Sequence, residues 1–529
     1  MPAVERPSST TTPDVSDVPP TSGPGAETLW IPVIAVVLAA IVVYHRALVG
    51  FFSQDDFLGL ARASGLAPRL AGVWRFLSHQ AYFDLMRPLV GLNPVSYHLV
   101  SLVVHCAAVT VLWLLLERSV SRAAATVGAV CFAVHPASFT ALYWISAVGD
   151  SLALLFALKT LFLLARRDRW RWLALPAFAL SLLAKESTLL LPVLVFAMGV
   201  PGSGGGAPTG ARRPALRDPV VLGLCVLALL HLTAFVTGNA FDVRGGLAGE
   251  APYALGIGAN LWQNALTYIG WTANFFLPTV RAFSDANDPG VYAWAVAALV
   301  VWIAGLALRP LRERGWAFGG ALWLTFVLPV LPLKNHTYHY YLYAPLAGAA
   351  WCVAAAFDAA LVALPRAMSA RVVWSVAAAF AALLTLNGYL LVQKIETAPF
   401  MLPGLHADAM VDRGRIAQNV SEALSAVELP SGVTLYFWSP TAASIGPQGE
   451  ALTSPSEYPT YWETNVRHAL MGGLAVRVLF PQVADVRFVR EYRPVPEGDR
   501  YAVYLPDGEL RVKTSAEVDS ILKSLPRPR

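Results

Sequence analysis

The sequence predicts a polytopic α-helical membrane protein carrying a C-terminal soluble α/β domain. Three observations lead there. Of 529 residues, 56% are hydrophobic and only 14% charged, where a soluble domain carries about 25% charged residues; mean hydropathy is +0.53. Apolar runs close to the length that crosses a bilayer recur as far as residue 392. Beyond that point the charge density becomes ordinary and short strand-like runs replace the long apolar ones.

Residues 1–28 are rich in Pro, Ser and Thr and are expected to form a disordered cytoplasmic tail. No basic region leads directly into a short apolar core with a cleavage site, so the first apolar run reads as an anchor, not a signal peptide. Spans are expected near 30–49, 94–117, 122–140, 143–165, 171–186, 187–200, 219–238, 291–308, 317–333, 341–363 and 372–392, about eleven in all. Basic clusters fall at Arg118/Arg122, 165–171, 211–217, 309–315 and Arg366/Arg371. Placing them in the cytoplasm makes 50–93 the first outer loop and the Gly/Pro-rich stretch 200–218 a cytoplasmic linker. The segment 261–278 is apolar enough to cross, but a crossing would carry 309–315 outside. It therefore reads as lying at the outer interface, with a twelfth crossing as the alternative. The membrane domain is thus 29–395 and the extracytoplasmic α/β domain 396–529, in a multi-pass protein of the cytoplasmic (inner) membrane with its N-terminus inside. The pI near 9.0 and net charge of +5 come from basic inter-helix loops, so the expected partner is the lipid bilayer and not nucleic acid. Cys106, Cys131, Cys225 and Cys352 lie in apolar runs without disulfide or metal spacing and read as small buried hydrophobes.

Ionisable groups inside a membrane domain cost roughly 2.5–3.5 kcal/mol for an Asp at a helix centre and persist when they pair or work. On this topology they gather at one level. Asp55 and Asp56 follow the first span; Tyr97, His98 and His105 open the second from the same side. His135, Trp144, Ser146 and Asp150 occupy the next outer hairpin, Lys185 and Glu186 another. The loop 334–345 adds Lys334, His336, His339 and four tyrosines, among them Tyr340, Tyr341 and Tyr343. A channel would spread such groups through the membrane. A one-sided outer cavity, with a membrane lipid as donor, fits better.

Four stretches, "SQDDF" (53–57), "GLNPVSYHLVSLVVH" (91–105), "HPASFTALYWISAVGD" (135–150) and "AKESTLLLPVL" (184–194), are supported by "YLYAPLAG" (341–348). Together they resemble the GT-C superfamily of membrane glycosyltransferases. The nearest likeness is the family-39-like branch of protein O-mannosyltransferases and transmembrane-and-tetratricopeptide mannosyltransferases. Thr140 stands where that family often has Glu, Val148 where it has Arg, and Tyr340 where an Arg precedes Tyr-Leu-Tyr; an α/β domain replaces the tetratricopeptide tail. The resemblance implies an inverting hexosyltransferase. It would move a sugar from a polyprenyl-phosphate donor to a hydroxyl of a protein or envelope glycan, on the outer face of the cytoplasmic membrane.

Such chemistry needs a carboxylate to take the acceptor's proton and cations to hold the leaving phosphate. By resemblance Asp55 is the base. Asp56 would orient the acceptor, tune Asp55 or hold a divalent metal, the one cofactor the sequence suggests. Lys185, with Glu186 holding it or binding elsewhere, and Arg75, preferred over Arg87, are the candidate phosphate partners. His98, His135, Trp144, Asp150, His339, Tyr341 and Tyr343 would line the site. Each has a plainer reading: a helix N-cap for the aspartates, snorkelling for Lys185, core histidines, an interfacial aromatic belt. His105 leans structural. The rival functions are a lipid-linked sugar flippase and a catalytically inactive GT-C-fold assembly protein.

Overall fold

In the computed structural model the described residues are 30–70, 72–201, 218–237, 254–273, 289–363, 369–398, 408–438, 465–489, 492–504 and 510–524. The expected N-terminal tail, most of the 200–218 linker and the end of the 261–278 segment lie outside them.

Seven described helices are long and apolar enough to cross a membrane: Trp30–Val49, Pro94–Leu116, Ile145–Leu164, Pro219–Thr237, Gly290–Ala307, Leu346–Ala363 and Ala370–Thr397. An eighth is bent by 48° between Arg122–Ala133 and Pro136–Tyr143. Eleven spans were expected, and the shortfall has local causes. Pro136 lacks an amide hydrogen and breaks the run 122–140. Lys185 adopts an extended conformation (φ −163°, ψ 144°), so 171–200 becomes two short helices, Ala174–Ala184 and Leu191–Met198. The run 317–333 ends as Trp316–Val330. Each of these is shorter than the ~20 residues that cover a hydrocarbon core.

Burial orders the bundle. Ile145–Leu164 is 72% buried over its apolar window, whereas Pro219–Thr237 and Gly290–Ala307 are 22% and 17% buried, and their exposed Leu and Val side chains form the apolar outer surface. Close packing uses small residues, as membrane helices without a hydrophobic drive between them require. A Cβ on Gly348 would stand 2.4 Å from the Gly319 carbonyl oxygen, so Trp316–Val327 and Leu346–Ala363 meet backbone to backbone. At one end of the bundle basic side chains are tied down. Buried Asp358 accepts from the Ser121 amide (2.9 Å) and Arg314 Nε (2.6 Å), and Arg118 stacks on Phe162. The other end gathers the polar residues discussed below.

In the C-terminal part, four strands among the described residues form one sheet: β1 (Val433–Trp438), β2 (Val483–Phe488), β3 (Arg500–Tyr504) and β4 (Leu510–Lys513), in the order β2-β1-β3-β4. β1 pairs parallel with β2 and β3, and β3 antiparallel with β4. Helices Ala409–Ser425 and Leu474–Leu479 share a core with this sheet. The core does not stop there. Phe52, Phe57 and Leu60 of the first loop join Ile416, Val420, Leu470 and Ala475 in one cluster, so the C-terminal domain is packed onto the segment that carries the paired aspartates.

Candidate active site

The first helix leaves through the 3-10 turn His45–Val49, the chain runs extended to Ser53, and a new helix opens at Asp55 (Asp55–Ala63). The two aspartates diverge at this point. Asp56 is 1% exposed. One carboxylate oxygen accepts from the Ser53 amide (2.9 Å) and the other from the Ser146 amide (2.7 Å). Asp56 therefore fastens the 51–54 turn to the 3-10 turn Ile145–Ala147. Burial pushes its carboxyl up to about 7, and the two serine contacts hold it from rising further. Asp55 is half-buried and makes no hydrogen bond or ion pair among the described residues. Burial raises its carboxyl above the ordinary value, against the opposing pull of Arg75, Arg62 and Arg413. One aspartate is spent on architecture; the other is left with a free carboxylate among three guanidinium groups.

This division predicts opposite mutational behaviour. In Asp56→Asn the amide NH2 meets one of the two backbone N–H donors, leaving that buried donor unsatisfied, which costs about 1–3 kcal/mol. The expected result is a lowered thermal midpoint in detergent for Asp56→Asn and little change for Asp55→Asn, read by intrinsic fluorescence. The assignment also bears on the suggested metal. Both Asp56 oxygens are engaged, and no group of three or more His, Cys, Asp or Glu side chains converges among the described residues.

Two ion pairs build the opposite wall. Lys185 Nζ lies 2.7 Å from both oxygens of Asp150, and the pair is buried. Asp150 sits in the first turn of Val148–Leu164 and Lys185 caps the C-terminus of Ala174–Ala184, so each charge complements its helix dipole. Lys185 also faces the rings of Tyr340 and Tyr341 at 5.5 and 5.4 Å. Glu186 turns away from its neighbour and takes Arg75, whose Nε donates to Oε2 at 2.9 Å and whose terminal nitrogen bonds Oε1. Of the two readings of Glu186, holding Lys185 or binding elsewhere, the second applies: the extended backbone at Lys185 points successive side chains in different directions, and two separate pairs form. Arg75 itself has φ +47° and stacks on Trp74 at 4.7 Å. Burial, then the Arg75 and Lys185 charges, lower His79 to about 3 and His336 to about 4, so both imidazoles are neutral at neutral pH.

The other predicted residues separate into lining and framework. Trp144 lies 6.3 Å from the Tyr340 ring, and its indole N–H, like Arg62 Nε and Trp74 Nε1, is buried and donates to no group among the described residues. His339 bonds Thr140 Oγ1 at 2.9 Å, so the position where Glu was expected carries a hydroxyl paired across the site. Tyr341 borders Lys185. His98 Nδ1 donates to the Leu142 carbonyl (3.0 Å), and its other edge lies against Gly50. His135 caps its own turn, Nδ1 accepting from the Ala137 amide (3.1 Å). Tyr343 is fully buried and donates to His105 Nδ1 (2.8 Å), while His105 Nε2 donates to the Ala133 carbonyl. These contacts tie His98, His135 and Tyr343 into the helix framework. Arg87 donates to Ser64 (2.7 Å). The sequence reading passed over Gln54, Arg62, His79 and Arg413. Arg62 and His79 lay in view inside the segment 50–93, while no local signal marks Arg413.

Two curated proteins match in sequence. Protein O-mannosyl-transferase TMTC1 of Homo sapiens is 31% identical over 149 residues, covering 24% of this chain and 16% of that protein. The chain is similar in sequence to an O-mannosyl-transferase. The Mus musculus TMTC1 matches equally over 149 residues, 15% of its length. The chain thus spans less than a fifth of these relatives. Arabinofuranosyltransferase AftD from mycobacteria overlays on 81% of this chain and 31% of its own at 15% identity, with a TM-score of 0.40. No protein-family model matches.

Proposed function

We propose that this protein is a membrane glycosyltransferase that moves a sugar from a polyprenyl-phosphate donor to a hydroxyl of a protein or envelope glycan. The site would open on the outer face of the cytoplasmic membrane. The observation that carries the reading is the free, half-buried Asp55 carboxylate facing arginines at the polar end of an apolar bundle. The partial sequence likeness to TMTC1 supports it. Asp55 takes the proton of the acceptor hydroxyl as its oxygen bonds the anomeric carbon; the bond from that carbon to the phosphate oxygen breaks, and the polyprenyl phosphate leaves with the bonding pair. Arg75 and Lys185 supply positive charge to the departing phosphate. The buried N–H groups of Trp74 and Trp144 supply further donors. Tyr340 and Tyr341 offer faces for the sugar. With Asp55 acting on the acceptor and not on the anomeric carbon, the transfer in this reading is one displacement with inversion. Purified protein in nanodiscs, given a synthetic polyprenyl-phosphate hexose and a hydroxyl acceptor, is expected to yield the opposite anomer by NMR. Retention of configuration would exclude the single displacement.

A further inference from the structure

The C-terminal domain reaches the candidate base directly. Gln54, the residue before Asp55, donates its backbone N–H to the Ala469 carbonyl (3.1 Å). With its side-chain oxygen turned to the Arg413 guanidinium, it accepts from that group, Nε at 2.9 Å. Arg413 belongs to helix Ala409–Ser425, anchored by Asp408 at its N-cap, and a Cβ on Gly414 would lie 3.5 Å from the Phe51 carbonyl oxygen. The contact is also where the backbone is strained. Three non-glycine residues have positive φ among those described: Gln54 (49°), Arg75 (47°) and Met471 (47°). The first precedes Asp55, the second faces it, and the third sits beside Leu470 in the docked core. Such conformations cost about 1–3 kcal/mol each and persist where surrounding structure enforces them.

We propose that Arg413 is a positioning residue of the active site: through Gln54 it fixes the strained turn before Asp55 and sets that carboxylate's charge environment, so the site is complete only with the C-terminal domain docked. This rests on reading Asp55 as the base. The charged and titratable groups that act on Asp55 or Arg413 are Asp56, Arg62, Arg75, Asp408 and His468, with Asp412 beside Asp408. Removing the Arg413 cation takes away one attraction that favours the ionised Asp55, and Asp55 then binds its proton more tightly.

The test uses full-length protein in nanodiscs and dicyclohexylcarbodiimide, which reacts with protonated carboxyls; Asp55 labelling is followed against pH by peptide mass spectrometry. Arg413→Gln is expected to raise the half-labelling pH by about one unit. Arg413→Lys should recover part of the shift, and Gln54→Leu should move it in the same direction. Transfer by these variants should lose kcat with KM for the donor kept. If Arg413→Gln does not fold, Gln54→Leu and Arg413→Lys decide. An unchanged half-labelling pH in the folded variants, or an Asp55 that resists labelling at every pH, overturns the proposal. A shifted labelling curve in a protein that transfers no sugar would instead leave the coupling intact and remove the transferase reading.

Discussion

Lys185→Met is expected to destabilise the membrane bundle more than any other single change at the site. The ammonium and the Asp150 carboxylate are within 2.7 Å, with side chains 10% and 7% exposed. Removing one member of a buried pair leaves the other charged and unpartnered, at a cost of about 3–5 kcal/mol. Asp150 would keep only the favourable N-terminal turn of its helix. Asp150→Asn should cost somewhat less, because Lys185 retains the faces of Tyr340 and Tyr341. The double variant Lys185→Met/Asp150→Leu removes both charges and fills similar volume, so most of the stability should return. Its transfer activity should not, since Lys185 is a candidate phosphate partner. Thermal unfolding in detergent together with transfer assays separates the two effects. Equal stability of Lys185→Met and the parent would mean that the pair adds nothing to the bundle.

Much of the architecture was legible because it is written in local pattern. Apolar run length marked the helices, and the strand-like runs 433–440, 500–506 and 509–514 fall on β1, β3 and β4, whereas the run 486–494 overlaps only the end of β2. The count of spans failed where one residue overrides composition: Pro136 bends a run that is apolar throughout, and the extended Lys185 cuts another. The paired aspartates were visible as an uncompensated charge, but their division of labour was not. It depends on the Ser146 amide, which the fold brings from the 135–150 segment to Asp56. The pairing of Arg75 with Glu186 and of Lys185 with Asp150 is hidden for the same reason, since sequence adjacency alone does not choose between Glu186 holding Lys185 and binding elsewhere. Arg413 is the extreme case. Its helix reads as an ordinary amphipathic segment of a soluble domain, and only packing against Phe52, Phe57 and Leu60 carries it to Asp55.

Asp55→Asn is expected to abolish transfer while leaving the protein folded. The amide is nearly isosteric, and Asp55 has no hydrogen bond or ion pair among the described residues to lose. It cannot take a proton from the acceptor hydroxyl. General-base catalysis contributes typically 10²–10⁴-fold, so a loss of that order follows, with donor binding kept. The pH dependence has a definite sign. In the proposed transfer the working form is the ionised carboxylate, so the parent protein should lose rate as pH falls through the Asp55 pKa. Burial raises that value above the ordinary carboxylate one, and the acid limb should lie correspondingly higher. Asp55→Glu moves the carboxylate by one methylene and should keep a small residual rate with the limb preserved. The most direct measurement is single-turnover transfer from a radiolabelled polyprenyl-phosphate sugar by parent and Asp55→Asn protein side by side, at saturating acceptor, from pH 4 to 8. A parent rate with an acid limb, and at least a hundredfold lower, limb-free rate in Asp55→Asn, is the expected result. A variant rate within tenfold of the parent would contradict the assignment of Asp55 as the base.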